Sequence, residues 1–120
     1  MIVSNSSPLI IIGKINELDL LKALYKQITI PNEVYIEVVE IGKEKNEADA
    51  FLIEEAINDG WIKVENLNKK ELENAKELHK RFRLSKGESE AIILAARHKN
   101  CTLILDDLEA REIAKARNMM

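Results

Sequence analysis

Acidic side chains bracket one apolar unit near the end of the chain, residues 84–108. Glu88 and Glu90 lie in its first part, and Asp106 and Asp107 follow directly after the apolar run 101–105. The residues between them read as a buried helix and then a short strand. In open α/β sheets, ligands bind beyond the carboxyl ends of the strands. Four acids in such a place indicate a cation site.

Two of these acids have a simpler explanation as helix caps. Ser85 followed three residues later by Glu88 is a capping box, which starts the helix and by itself accounts for Glu88. Asp107 could likewise cap the helix that follows it. Glu90 and Asp106 have no such explanation. Glu90 shares a helix face with buried apolar residues, where a carboxylate needs a partner.

Length and composition indicate a single globular domain with an aliphatic core. The chain has 120 residues, of which 46% are hydrophobic and only 4% aromatic. Its formal net charge is −3, so nucleic acid could be held only by a local basic patch and not by overall charge. We expect one domain over residues 1–120.

The cysteine content and the N-terminus favour a cytoplasmic protein. Cys101 is the only cysteine, which excludes a disulfide framework and a cysteine-based zinc site. We predict that Cys101 packs as a small hydrophobic residue in a buried strand. The apolar run 8–12 is too short to cross a bilayer, and no basic leader precedes it.

Strand and helix patterns alternate along the whole chain. Strands are predicted over residues 1–3, 27–30, 61–64 and 101–105. Helices are predicted over residues 8–14 (with Ser7 as cap), 17–25, 47–58 (with Asn46 as cap), 69–82 (with Asn68 as cap) and 108–117. One more helix is predicted to start at Ser85 and to include the apolar run 91–96. This alternation predicts an α/β fold, a three-layer α/β/α arrangement around a central, mainly parallel sheet of about four strands.

Residues 31–41 are ambiguous between strand and helix. Their Val and Ile content favours a strand, whereas Val34, Val38 and Ile41 fall at helical spacing. We predict a helix. An acidic stripe would then lie beside the apolar one, and a solvated face is the simpler explanation of each member: Glu33, Glu37 and Glu40.

Other residues with catalytic potential are isolated. His79 and His98 are too far apart in the sequence to suggest a metal pair, and each is expected to be a surface or packing residue. Ser6 and Ser7 have no evident histidine partner, so nucleophilic catalysis is not expected.

Four segments in this order resemble a PIN domain over the whole chain. They are SNSSPLI at residues 4–10, the helix that carries Glu37, GESEAI at residues 87–92, and LDD at residues 105–107. The likeness is strongest to the small prokaryotic PIN proteins related to VapC-type toxins. It implies a ribonuclease in which acidic side chains hold Mg²⁺ or Mn²⁺.

The resemblance also assigns roles to individual residues. It implies catalytic roles for Glu37, Glu90 and Asp107. The implied metal ligands are Asn5, Glu37, Glu88, Glu90, Asp106 and Asp107. Asn5 stands where the family usually has its first Asp, and its amide oxygen can ligate Mg²⁺ but brings no charge. Because crowded carboxylates repel, at least one acid of the site should have a raised pKa.

Partners follow from the same resemblance. Single-stranded RNA would be the substrate, with Lys86 and Arg111 as candidate RNA contacts, although each could simply be a solvated basic residue. A small antitoxin protein would cover the acidic cleft. Such proteins generally continue past the last helix into a further strand and helix, whereas this sequence stops at Met120. A sheet edge left uncovered in this way would favour a homodimer.

Three functions therefore compete. The first is an endoribonuclease toxin, which the set Glu37, Glu90 and Asp107 favours. The second is a catalytically silent PIN-fold remnant that binds protein or RNA, which Asn5 and the short C-terminus favour. The third, a receiver-like domain with Asp106 or Asp107 as phosphoacceptor, would need a further acidic pair at the end of the first strand.

Overall fold

A four-stranded parallel sheet forms the centre of the computed structural model, which describes residues 1–98 and 100–105. The strands are β1 (Ile2–Ser4), β2 (Ile28–Ile30), β3 (Ile62–Val64) and β4 (Thr102–Ile104), in the spatial order β3-β2-β1-β4. All three pairings are parallel. The predicted α/β fold and parallel sheet are confirmed. Asp106, Asp107, Arg111 and the helix predicted over residues 108–117 lie outside the described residues.

Helices connect the strands and cover both faces of the sheet. They are α1 (Ser6–Lys14), α2 (Leu18–Tyr25), α3 (Asn32–Tyr35), α4 (Gly42–Glu44), α5 (Ala48–Asn58), α6 (Lys69–Phe82) and α7 (Lys86–Arg97). None of the helices within residues 1–98 and 100–105 combines the length and apolar composition that a membrane span requires.

The ambiguous segment is helical, as its apolar spacing predicts, but it is not a regular helix. Between α3 and α4 the chain forms a π-helical segment, Ile36–Ile41. Val38 and Val39 of this segment are both buried, although they are adjacent in sequence. A π-helical turn within a helix is rare and frequently lies at a functional site. Glu37 lies in this segment.

Alternating residues of the strands supply two separate apolar clusters. Val3 of β1 packs in one cluster with α6, α7 and β4. Its neighbour Ile2 packs against the other cluster, which contains Ile28, Ile30 and residues of α1, α3 and α5. Because successive side chains of a strand point to opposite faces, the sheet lies between two helical layers. This arrangement confirms the three-layer prediction.

Several local predictions need correction. Helix α1 begins at Ser6 and not at Pro8, because Asn5 is still extended and its N–H donates to the carbonyl of Ile104 in β4, 3.2 Å away. Helix α5 begins at Ala48, with Glu47 at the N-cap, because Asn46 adopts a left-handed φ of 56°.

Cys101 is also not in a buried strand. It precedes β4 and is partly exposed, although it packs against the apolar cluster beneath it. Among the described strands β4 pairs only with β1, so it lies at the sheet edge, and Thr102 is exposed there. An edge strand buries its residues less completely than a central one does.

The two helices α6 and α7 both begin with the predicted capping residues. Asn68 forms a capping box with Glu71, and Ser85 forms one with Glu88. At the other end of α7, the Arg97 guanidinium binds both carboxylate oxygens of Glu71, at 2.6 and 2.9 Å, and one of Glu65 at 2.5 Å. This bidentate contact joins the end of α7 to the beginning of α6.

The Glu71 to Arg97 contact makes stability depend on pH. Hydrogen bonds from Arg97 lower the pKa of Glu71 from 4.5 to about 2. A carboxylate with a lowered folded pKa stabilises the fold above its unfolded pKa, and this contribution is lost as the pH falls from 4.5 towards 2. We therefore expect Glu71→Gln to lower the free energy of unfolding by about 1–2 kcal/mol at pH 7. In urea titrations the difference from the parent protein should shrink by pH 3. The exposed Glu73→Gln is the control. An equal decrease in the free energy of unfolding in both variants would contradict this account.

Candidate active site

Asn5 lies at the carboxyl end of β1, beside the end of β4. Ser4 and Ile104, the last residues of β1 and β4, pair with each other, so Asn5 and Leu105 both follow the ends of their strands at the same edge of the sheet. Asn5 therefore lies beside the strand that precedes Asp106 and Asp107 in the sequence. Asn5 is only 3% exposed and makes no side-chain cap bond to α1. Its Oδ1 is buried without a hydrogen-bond partner among the described residues.

A buried carbonyl oxygen without a partner is costly. Leaving such an acceptor unsatisfied costs about 1–3 kcal/mol, so folded proteins rarely keep one without a reason. An oxygen of this kind is a suitable ligand for a hard divalent cation. The unpaired Oδ1 of Asn5 is therefore the first indication of a ligand site at this edge of the sheet.

Glu37 approaches the same edge from the π-helical segment. Its Oε2 accepts a hydrogen bond of 2.8 Å from the hydroxyl of Ser6, the residue after Asn5. Burial raises the pKa of Glu37, while hydrogen bonds from Ser6 and from the Gly87 backbone oppose that rise. The negative charges of Glu33 and Glu88 raise it further. Glu37 is thus an oriented, partly dehydrated carboxylate.

Gly87 allows the first turn of α7 to lie directly against Glu37. A Cβ at this position would overlap Oε1 of Glu37 and would lie 3.1 Å from its Cδ. It would also lie 3.3 Å from Cγ2 of Val34. Any larger residue at position 87 would displace the Glu37 carboxylate.

Glu90 lies one turn further along α7, next to the beginning of α3. Its Oε1 accepts a hydrogen bond of 3.2 Å from the backbone N–H of Glu33. Burial is the largest cause that raises the pKa of Glu90, the bond from Glu33 opposes it, and the charges of Glu33 and Glu37 add to the rise. The expected raised pKa is present at both Glu37 and Glu90. Its main cause is loss of water, however, with repulsion between the acids second.

Glu88 and Lys86 occupy the first turn of α7 with different roles. Oε1 of Glu88 accepts a hydrogen bond of 2.9 Å from the backbone N–H of Ser85, so one oxygen serves the helix cap. Its charge still contributes to the raised pKa of Glu37. Lys86 is exposed and lines a cavity together with Glu90. Arg111, the other predicted RNA contact, lies outside the described residues.

Sequence reasoning missed four features of this site. Ser6 was considered only as a nucleophile, whereas its hydroxyl orients Glu37. Glu33 was assigned to a solvated face, yet it is partly buried and its backbone positions Glu90. The need for glycine at position 87 and the π-helical segment also went unrecognised. For Glu33 a signal was available, because it lies one helical turn before Glu37.

The described residues do not by themselves form a metal site. Within residues 1–98 and 100–105, no three acidic, histidine or cysteine side chains are grouped closely enough to hold a metal ion. The oxygens of Asn5, Glu37 and Glu90 are nevertheless of the type that Mg²⁺ and Mn²⁺ bind. A partner-free amide oxygen and two dehydrated carboxylates are thus suited by their chemistry to bind such an ion.

Comparison with known families identifies the fold. The profile of the family DUF3368, described as a PIN domain, matches residues 1–120. The chain belongs to the PIN domain family. This membership indicates a nuclease-type function, and PIN domains generally use divalent metal ions. Neither the curated proteins nor the solved structures give a match.

The charge of Glu90 should destabilise the metal-free PIN domain. Because its folded pKa is raised, the ionised form costs stability at pH 7, and this cost disappears in acid where the group is neutral in both states. We expect Glu90→Gln, which keeps an acceptor for the Glu33 N–H, to raise the melting temperature at pH 7 in the presence of chelator. The control is Glu40→Gln, which removes an exposed charge from the π-helical segment and should change the melting temperature little. A lower melting temperature for Glu90→Gln would show that this carboxylate is structural.

Proposed function

We propose that this PIN domain is a metal-dependent endoribonuclease that cleaves single-stranded RNA. The observation that carries the proposal is the buried, partner-free Oδ1 of Asn5, which directly precedes the Ser6 that binds the dehydrated carboxylate Glu37. The dehydrated Glu90 in turn interacts electrostatically with Glu37. Structural acids are normally exposed or paired with a base. These two are held by neutral hydrogen-bond donors instead, which leaves their charge available for a cation.

The proposed ligands of Mg²⁺ or Mn²⁺ are the oxygens of Asn5, Glu37 and Glu90. Asp106 and Asp107, predicted from the sequence, complete the proposed set, and Glu88 contributes negative charge nearby. When bound, such an ion lowers the pKa of a coordinated water and offsets charge at a phosphodiester. The proposed catalytic acids are Glu37, Glu90 and Asp107.

Residues around these ligands have positioning roles in the proposal. The Ser6 hydroxyl and the Gly87 N–H fix the Glu37 carboxylate from two sides. The backbone of Glu33 fixes Glu90. Two acids held in this way lose little freedom when a cation binds, which favours affinity. Lys86, exposed at the start of α7, is proposed to contact an RNA phosphate.

A silent PIN-fold remnant is the second candidate function, and Asn5 is the observation that favours it. An amide in place of the carboxylate that the family usually has at this position lowers the total negative charge available to the metal. The affinity of a site for a hard cation depends on ligand charge. A remnant would retain the fold and the RNA or protein contacts without cleavage.

The biological context remains part of the proposal. A role as a toxin with a small antitoxin partner in the cytoplasm rests on the likeness to VapC-type proteins. A homodimer is proposed because β4 lies at the edge of the described sheet, where another chain could pair or pack.

Substitution of Asn5 separates the two candidate functions. Asn5→Asp adds one carboxylate to the proposed site, and we expect it to tighten Mn²⁺ binding on the order of tenfold, as more ligand charge should. Asn58→Asp, an exposed change at the end of α5, is the matched control. Binding is measured by calorimetry, and cleavage is measured on single-stranded RNA with Mn²⁺ or with chelator.

The combined results decide between enzyme and remnant. Manganese-dependent cleavage by the unmutated protein, abolished by Glu37→Gln, supports the ribonuclease. Cleavage only in the Asn5→Asp variant identifies a silenced nuclease. If Asn5→Asp binds Mn²⁺ no more tightly than Asn58→Asp does, Asn5 is not a ligand and the proposed site is wrong.

A further inference from the structure

A cavity of about 180 Å³ lies between α3, α6 and α7 and is lined in part by Glu90, one of the proposed metal ligands. Glu33 and Glu90 line one side, and Leu72, Ala75 and His79 of α6 line another. Glu90 belongs both to this cavity and to the proposed catalytic set. Any group that fills the cavity therefore lies beside the site of the proposed reaction.

The cavity combines apolar surface with hydrogen-bond acceptors. Leu72 and Ala75 provide aliphatic contacts, and the His79 ring is held by a hydrogen bond between its Nδ1 and the carbonyl of Leu84. Glu33 is partly buried and takes part in none of the ion pairs of the described residues. A flat ligand with donor groups along one edge would satisfy both kinds of surface.

Charge at the cavity restricts the class of ligand further. Lys76 and Lys86 also line it, and both are exposed. Two lysines beside two carboxylates make the lining close to neutral, so the cavity does not select a cation such as an arginine side chain. The lysines instead favour a ligand that places an uncharged group in the cavity and a negatively charged group outside it. A nucleotide has this distribution, with an uncharged base and a charged phosphate.

We infer that this cavity binds an RNA base next to the scissile phosphate, with guanine preferred. Guanine has two adjacent donors on its pairing edge, N1–H and the N2 amino group, which match the two oxygens of a carboxylate such as Glu33. Proteins commonly read unpaired RNA bases through this edge while apolar or ring side chains cover the base face. Lys76 and Lys86 would contact the neighbouring phosphates. This inference rests on the proposed RNA substrate and adds the base specificity of the same site.

Binding of mononucleotides tests the inference without any requirement for cleavage. Amide spectra of the isotopically labelled protein are recorded during titration with 5′-GMP, with 5′-UMP and with arginine amide, each in the presence of chelator. We expect 5′-GMP to shift the signals of Glu33, Leu72 and His79 and to bind on the order of tenfold more tightly than 5′-UMP, as a matched hydrogen-bond pair provides.

Two variants and a control assign the effect to the cavity. Glu33→Gln should remove the preference for 5′-GMP, and Leu72→Trp, which places bulk at the cavity mouth, should weaken both nucleotides. The exposed Glu73→Gln on the same helix should bind like the parent protein. Arginine amide bound in preference to 5′-GMP, or equal affinity for the two nucleotides, would overturn the inference.

The outcome is distinguishable from that of the proposed function. Manganese-dependent RNA cleavage without selective binding of 5′-GMP at α6 would reject the base site and leave the nuclease. Selective 5′-GMP binding without cleavage would support the base site and identify a nucleotide-binding remnant.

Discussion

Close packing of α7 against the π-helical segment, at Gly87 and Glu37, is the constraint on which the site depends. With no side chain at position 87, the helix N-terminus approaches until its backbone N–H donates to the Glu37 carboxylate. That approach also brings Glu90 to the backbone of Glu33. A single missing Cβ thus determines where two carboxylates lie relative to the end of β1.

The same packing has a cost in stability, which other parts of the fold offset. Burial disfavours the ionised forms of Glu37 and Glu90, and the unpaired Oδ1 of Asn5 adds a further penalty. Apolar clusters on both sheet faces, two capping boxes and the Arg97 contacts act in the opposite direction. Such a division, with strain concentrated where strands end and stability elsewhere, is typical of functional sites.

The elements of this fold were readable from local sequence signals, and their contacts were not. Alternation of strands and helices predicted the parallel sheet, and Asn68 and Ser85 correctly predicted the starts of α6 and α7. Helical spacing correctly resolved residues 31–41. The predicted burial of Cys101 was wrong because the position of β4 at the sheet edge depends on strand order, which no local pattern contains.

The site shows the same limit in finer detail. The acids Glu37 and Glu90 stood out by type and by motif. The bond from Ser6, the contact at Gly87 and the role of Glu33 join segments at least 31 residues apart in sequence. Periodicity describes one element at a time, so it could not predict them. The π-helical segment arises from packing on both of its sides, which a helical pattern alone does not indicate.

Paramagnetic broadening of amide signals by Mn²⁺ tests the central claim, that the end of β1 and the start of α7 form a metal site. A second acidic group provides the internal comparison: Asp19, Glu55 and Asp59 line a separate cavity of about 200 Å³. At substoichiometric Mn²⁺, the signals of Asn5, Glu37 and Glu90 should broaden first and should recover when chelator is added. Broadening first at Asp19, Glu55 and Asp59, or equally at all exposed acids, would contradict the account.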